Sequence, residues 1–86
     1  MFVILFYDVY EKRCNKMLKI CRKYLEWVQN SVLEGELTES TFVKLQYEIN
    51  DLIEDDDSVI IYTFRSMKYS KRIVIGQDKK GDSQFL

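Results

Sequence analysis

Two short segments that are apolar at nearly every position constrain the fold of this chain more than any other feature. They are FVILFY at residues 2–7 and SVIIYTF at residues 58–64. Runs so rich in β-branched and aromatic residues predict strands that offer apolar side chains to both faces of a sheet. Because a chain of 86 residues is too short to cover both faces, we expect a second copy of the same sheet to cover one of them.

Two further segments have the periodicity of amphipathic helices. Residues 12–26 place apolar side chains at helical spacing and predict the first helix. Four lysines fall on its opposite side: Lys12, Lys16, Lys19 and Lys23. The second predicted helix begins after Thr38, a suitable N-cap, and stops before the acidic run at residues 54–57, since acids at a helix C-terminus are unfavourable.

The rest of the sheet comes from two less regular segments. Residues 27–37 alternate around Gly35 and fit either one kinked strand or two short strands, and residues 71–75 predict a final strand. The order of elements predicts an α+β, ferredoxin-like fold, βαββαβ with an extra C-terminal strand. We assign residues 1–76 to this domain and residues 77–86 to a polar C-terminal tail.

The cellular compartment follows from the N-terminus and the cysteines. The opening apolar run is too short to span a bilayer and is followed at once by Asp8, so we expect a cytoplasmic protein with no membrane partner. Cys14 and Cys21 lie about 10 Å apart along the predicted helix. That separation is too large for a disulfide and indicates reduced thiols.

Charge is segregated along the chain although the net charge is only -1. Residues 1–33 hold six basic against three acidic residues, residues 34–57 one against nine, and residues 58–86 six against two. This pattern predicts a basic face that contacts phosphates, although simple solvation of a helix face also fits. The candidate nucleic-acid-binding residues are Lys12, Arg13, Lys16, Lys19, Lys23, Arg65, Lys68 and Arg72. The many tyrosines and Trp27 predict core and interface positions, not a base-stacking platform.

The absence of histidine excludes most catalytic arrangements and leaves Asp8 as the candidate for chemistry. A carboxylate at the end of a strand can hold Mg²⁺ or Mn²⁺, which prefer oxygen ligands and share them with phosphates. The segment from Asp8 to Glu11 also has the D-x-x-E spacing of a helix N-cap, so capping is the alternative interpretation. One carboxylate makes a poor metal site unless a dimer axis brings two copies together.

In order and spacing, four segments resemble the family of small CRISPR-associated Cas2 proteins across residues 1 to about 76. They are FVILFYDV, the helix opening with Lys12-Arg13, WVQNSVLEGEL, and DSVIIYTF after an acidic turn. The resemblance implies a ferredoxin-like fold, a two-fold homodimer through the sheets, and spacer acquisition beside the CRISPR integrase Cas1. Members of this family have also been described as metal-dependent endonucleases acting on single-stranded RNA or double-stranded DNA.

The resemblance also assigns roles to particular residues. It places the metal-binding aspartate on Asp8, with Tyr7 beside it and Arg13 as a basic residue of the first helix, so these three form the candidate catalytic set. It further implies that the last strand, residues 71–75, crosses to the partner's sheet. The tail would then be left for contacts with the integrase.

Three functional hypotheses follow. The first is a weak Mg²⁺- or Mn²⁺-dependent endonuclease that hydrolyses phosphodiesters at Asp8. The second is a structural adaptor, a dimer that holds a DNA duplex by its backbone and sets the spacing between two integrase units. The third is a toxin-like ribonuclease or small regulatory protein of the same fold.

Overall fold

The chain forms a four-stranded sheet with two helices. The computed structural model describes residues 1–66 and 71–79. The elements in chain order are β1 (Phe2–Asp8), α1 (Glu11–Arg22), β2 (Glu26–Gln29), β3 (Val32–Glu36), α2 (Glu39–Leu52) and β4 (Ser58–Phe64). All neighbouring strands are antiparallel, in the order β2-β3-β1-β4. This is the ferredoxin-like arrangement, so the predicted fold class is confirmed.

Alternation along β1 decides which side of the sheet is the core. Val3, Leu5 and Tyr7 are buried, whereas Phe6 and Asp8 between and beyond them are exposed. The buried set packs in one cluster with residues of both helices and of β3: Met17, Cys21, Leu33, Leu45 and Ile49. Burying one such side chain contributes about 1.5–3 kcal/mol. Both helices therefore cover the same face of the sheet.

The segment between the helices is two strands joined by a tight turn at Asn30 and Ser31. Asn30 adopts a left-handed φ of 42°, which asparagine tolerates better than most residues, and its carbonyl accepts the Trp27 indole N–H at 3.0 Å. Gly35 allows the turn between α1 and β2 to pack closely against β3, because a Cβ at position 35 would lie 3.2 Å from Leu25 Cδ2. These local features resolve the choice between one strand and two.

The ends of the helices agree with prediction for α2 but not for α1. The Thr38 hydroxyl accepts the Thr41 backbone N–H at 3.2 Å, so the predicted N-cap is confirmed. Helix α2 ends at Leu52, before the acidic run. Helix α1 ends at Arg22 rather than at residue 26, because the chain turns there to bury Leu25 and to begin β2.

The face of the sheet away from the helices, here called the open face, is apolar over β1 and β4. Phe6, Ile60, Tyr62 and Phe64 are 39%, 52%, 55% and 39% exposed. The Phe6 ring meets the Tyr62 ring edge-on at a centroid distance of 5.9 Å, so these rings cluster although no residue in 1–66 or 71–79 covers them. The prediction that the helices leave one apolar face uncovered is confirmed for the described part of the chain.

Residues 71–79 lie over the other half of the open face, against β2 and β3. They form no strand in the single chain, so the predicted final strand at residues 71–75 is wrong for the isolated chain. The Arg72 Nε–H donates to Glu34 Oε1 at 2.7 Å and anchors this segment to β3. Ile73 and Ile75 stay 72% and 96% exposed. The crossing of residues 71–75 to a partner's sheet stays a prediction, and residues 80–86 of the predicted tail lie outside the described residues. Neither helix is long and apolar enough to cross a bilayer, a finding that covers residues 1–66 and 71–79.

Candidate functional site

Asp8 is the last residue of β1, and its side chain is exposed on the open face. In the sheet it lies opposite Ser58 of β4. Helix α1 begins only at Glu11, and its N-cap is Tyr10, with no side-chain cap bond. The interpretation of Asp8 as a helix cap is therefore wrong, because the strand continues through Asp8 and leaves it too early in the chain to cap the helix.

Tyr7 points to the opposite face from Asp8, into the core between the sheet and α1. Its backbone N–H donates to the Ser31 carbonyl at 3.1 Å, and its hydroxyl is hydrogen-bonded to the Ser31 side chain. Burial raises the pKa of the Tyr7 phenol, and the nearby Cys14 and Cys21 raise it further against the opposing effect of Ser31. The phenol is therefore neutral at physiological pH, and strand alternation keeps it away from the Asp8 carboxylate.

Arg13, the third residue of the predicted catalytic set, is held by acidic residues of the turn before β4. Its Nε–H donates to Asp57 Oδ2 at 2.6 Å, a second N–H donates to Asp57 Oδ1 at 3.0 Å, and a third to Glu54 Oε2 at 3.1 Å. Asp57 also accepts the backbone N–H groups of Tyr10 at 2.9 Å and of Glu54 at 3.0 Å. We call these four residues the Asp57 clamp; it fixes the start of α1 to the end of α2.

The Asp57 clamp strongly favours the ionised form of its central carboxyl. The Arg13 guanidinium holds the pKa of Asp57 far below its usual range; burial opposes this, and the N–H groups of Tyr10 and Glu54 add to it. The Asp57 side chain has no exposed surface, whereas the Arg13 side chain is 12% exposed. The ion pair is thus largely shielded from solvent, so it should respond weakly to salt and strongly to protonation.

We expect Asp57→Asn to lower Tm by several degrees at pH 7. A carboxyl whose folded-state pKa is depressed stabilises the protein above its unfolded pKa of about 3.9, and that contribution is lost as pH falls through the folded value. The difference in Tm between the two proteins should therefore shrink below about pH 4. Thermal unfolding at pH 7 and pH 3 measures this difference in Tm. The control is Asp55→Asn, because Asp55 is an exposed aspartate of the same acidic run. Equal Tm values for all three proteins at pH 7 would contradict the stabilising role of the clamp.

The lysines predicted along α1 form an exposed stripe, as expected, but only part of it is available to a ligand. We call Lys12, Lys16 and Lys19 the lysine stripe; all three are exposed, and among residues 1–66 and 71–79 no carboxylate pairs with them. Lys23, in contrast, donates to Glu48 of α2. The stripe is therefore a part of the predicted basic face whose charge is uncompensated within the described chain.

The remaining residues predicted to bind nucleic acid lie outside α1. The Arg72 guanidinium is paired with Glu34 at 2.7 Å and Asp78 at 3.4 Å. Arg65 is exposed directly after β4, and Lys68 lies outside the described residues. The structure thus brings the lysine stripe and Arg13 together on α1 and separates them from Arg72, which lies over the open face.

Asp8 alone supplies too few ligands for a divalent cation. In the part of the chain that is described, no three histidine, cysteine or acidic residues are grouped so as to hold a metal ion. Asp57 precedes Ser58, the strand partner of Asp8, but the oxygens of Asp57 are occupied by the clamp. Because hard cations take six or more oxygen ligands, the other ligands at Asp8 would have to come from a second copy, water or phosphate.

Comparison with known proteins identifies the family. The family model described as "CRISPR associated protein Cas2" matches residues 1–72. The chain belongs to the Cas2 family. A Cas2-family relative from Dictyoglomus turgidum, named a CRISPR-associated endoribonuclease, is 53% identical over the full length of both chains. Another with the same description, from Thermotoga maritima, is 51% identical and covers 100% of this chain and 99% of the relative.

Solved Cas2 structures share the fold. A structure described as a crystal structure of Cas2 superimposes with a TM-score of 0.83 at 42% identity and covers 92% of this chain and 90% of its own. Cas2 from Streptococcus pyogenes, solved at pH 6.5, gives a TM-score of 0.72 at 28% identity, covering 86% and 99%. The resemblance seen in the sequence is thereby confirmed.

Sequence reasoning missed the Asp57 clamp in this Cas2-family chain. The sequence marks residues 54–57 only as the acidic run before which the second helix stops, whereas the Asp57 side chain is buried and bonded to Arg13, 44 residues away along the chain. A signal did exist, since antiparallel pairing of β1 with β4 places Ser58 opposite Asp8 and hence the preceding Asp57 near the start of α1. Finding it required the strand order, which local patterns do not contain.

Proposed function

We propose that this protein acts in CRISPR adaptation as a homodimer that binds a DNA duplex through its phosphates, beside the CRISPR integrase. The observation that carries the proposal is the lysine stripe on α1, three exposed lysines unpaired within the described chain. From Lys12 to Lys19 the stripe extends about 10 Å along the helix. Side chains of this kind bind phosphates as point charges without reading sequence.

The open face supports the dimeric state. Four large side chains of β1 and β4 remain between 39% and 55% exposed in the single chain, and exposed apolar patches of this kind mark interaction sites. A two-fold axis through this face would stack two sheets and leave both helical layers outside. The dimer would then present two lysine stripes, six lysines in all.

Salt dependence tests the proposed mode of binding. If the six lysines of the two stripes neutralise about six phosphates, the logarithm of the association constant should fall against the logarithm of salt concentration with a slope of about -5. Lys16→Gln removes two of these contacts per dimer and should make the slope shallower by about 2. Fluorescence anisotropy with a labelled duplex, titrated at several salt concentrations, measures both.

Lys44→Gln is the matched control, since Lys44 is also an exposed lysine but lies on the acidic helix α2. Lys44→Gln changes the net charge by the same amount as Lys16→Gln. Because Lys44 lies outside the lysine stripe, the slope should stay at the wild-type value. A slope near zero for the wild-type protein, or equal slopes for the two variants, would overturn the proposal of phosphate binding through α1.

The proposed role of duplex binding in adaptation is tested together with the CRISPR integrase. In this proposal the protein works in the cytoplasm, and its dimer holds the duplex while two integrase units act at its ends. A reconstituted spacer-integration assay with the CRISPR integrase should lose product when the chain is left out. The Lys16→Gln variant should integrate less at elevated salt than Lys44→Gln does.

A second candidate function is metal-dependent endonuclease activity at Asp8. It is favoured by the exposed position of Asp8 on the open face, where a second copy can contribute its own carboxylate, and by the name endoribonuclease carried by relatives 40–53% identical to this chain. Mg²⁺ or Mn²⁺ held there would activate water and offset charge on the phosphate. The Asp57 clamp would keep the turn after Asp8 in place, and Tyr7, buried and neutral, would support the strand from the core side.

A further inference from the structure

Tyr10 is a large aromatic residue that the fold leaves in solvent. Its side chain is 62% exposed, and it stands at the N-terminus of α1, two positions after Asp8. In the single chain it is neither a core residue nor part of the open face. Its role in the fold is carried by its backbone, whose N–H donates to Asp57 Oδ1 at 2.9 Å, whereas its ring is exposed beside Lys12 and Arg13.

Two cationic side chains of α1 lie near the Tyr10 ring. Lys12 Nζ lies 5.8 Å and Arg13 Cζ 5.6 Å from the ring centroid, distances at which cations are attracted to an aromatic ring. Arg13 is itself fixed by Asp57. A ring restrained in this way loses little further freedom when a ligand stacks on it, and so less of the stacking energy is offset by ordering.

Charge around Tyr10 selects the kind of ligand. The lysine stripe begins at Lys12 and runs away from Tyr10 along α1, whereas the acidic turn at residues 54–57 lies on the other side, next to the Asp57 clamp. A phosphate is attracted towards the stripe and repelled from the acidic turn. An uncharged base is not repelled, and it offers a flat π surface to the ring.

We propose that Tyr10 is a stacking site for an unpaired nucleotide base, with the backbone of the same strand following the lysine stripe. A base inside a duplex has both faces covered by its neighbours, so the site discriminates in favour of single-stranded RNA or DNA, or of an unpaired end. This inference rests on the proposed nucleic-acid binding and adds to it the recognition of an unpaired base beside Asp8.

The test compares single-stranded and blunt duplex oligonucleotides of one sequence. Tyr10→Ala should weaken binding of the single strand about 5- to 10-fold, in line with the loss of one stacked base, and should change duplex binding by less than about twofold. Tyr10→Trp should bind the single strand about as tightly as the wild-type protein does. With 2-aminopurine in the single strand, wild-type protein and Tyr10→Trp should quench its fluorescence, and Tyr10→Ala should not.

Tyr47→Ala is the control, because Tyr47 is 69% exposed on the acidic helix α2. The stacking site is overturned if Tyr10→Ala binds the single strand as Tyr47→Ala does, or if it weakens single-strand and duplex binding equally. Failure of the proposed function gives a different result, namely salt-insensitive or undetectable duplex binding by the wild-type protein. Tm values of the variants confirm that each one is folded.

Discussion

Replacing Ile60 and Tyr62 by lysine is expected to convert the proposed dimer into a monomer. Both side chains lie on the open face of β4 and are 52% and 55% exposed in the single chain, so charge there should not disturb the core. In a two-fold interface the substitutions would place four uncompensated charges between apolar sheets, and each buried, unpaired charge costs several kcal/mol. Light scattering at micromolar concentration should give a single-chain mass of 10.4 kDa for the double variant and twice that for the wild type.

Tyr47→Lys separates this effect from a general effect of added charge. Tyr47 is 69% exposed but lies on α2, on the other side of the molecule from the open face. Its variant should keep the mass of the wild-type protein. A single-chain mass for the wild type, or a double variant that remains dimeric, would show that this face is not the interface.

Asp8→Asn is expected to abolish any metal-dependent cleavage and to leave folding and duplex binding unchanged. Asparagine lacks the charge that a hard cation requires. Folding should survive because Asp8 is exposed, caps no helix, and makes no side-chain hydrogen bond with any residue in 1–66 or 71–79. Duplex binding should survive because the lysine stripe lies on α1. The measurements are Tm, cleavage of single-stranded RNA and duplex DNA with Mg²⁺ or Mn²⁺, and spacer integration.

The outcomes of this substitution distinguish the two candidate functions. Cleavage that is lost while integration is retained would make the adaptor role primary. Loss of both would tie integration to the metal site. Cleavage unchanged by the substitution would show that the activity does not reside at Asp8 and would overturn the site assignment. Asp51→Asn, on the exposed part of α2, is the control for removal of a carboxylate.

The fold could be predicted because its signals are local. The apolar strands at residues 2–7 and 58–64 and the Thr38 cap all depend on side chains within one element, and the structure confirms them. The end of α1 was predicted too late in the chain because Leu25 has helical spacing yet is buried from the following turn. There, tertiary packing prevailed over periodicity.

The candidate site could be predicted only in part. Position at the end of a strand singled out Asp8, and helical spacing placed Lys12, Lys16 and Lys19 on one exposed face, which is where they lie. The same spacing could not show that Arg13 is engaged by Asp57, or that Lys23 is engaged by Glu48 of α2. These partners lie in elements that only the folded chain brings into contact.

The sequence by itself determined the fold class, the family, the apolar face that needs a cover and the strand that ends in Asp8. Only the tertiary structure decided that Asp8 extends the strand and does not cap α1, that Asp57 is buried against Arg13, and that the Tyr10 ring is exposed. The physical reason is distance along the chain. Periodicity fixes the face on which a side chain lies, whereas the strand order β2-β3-β1-β4 fixes which distant charges meet there.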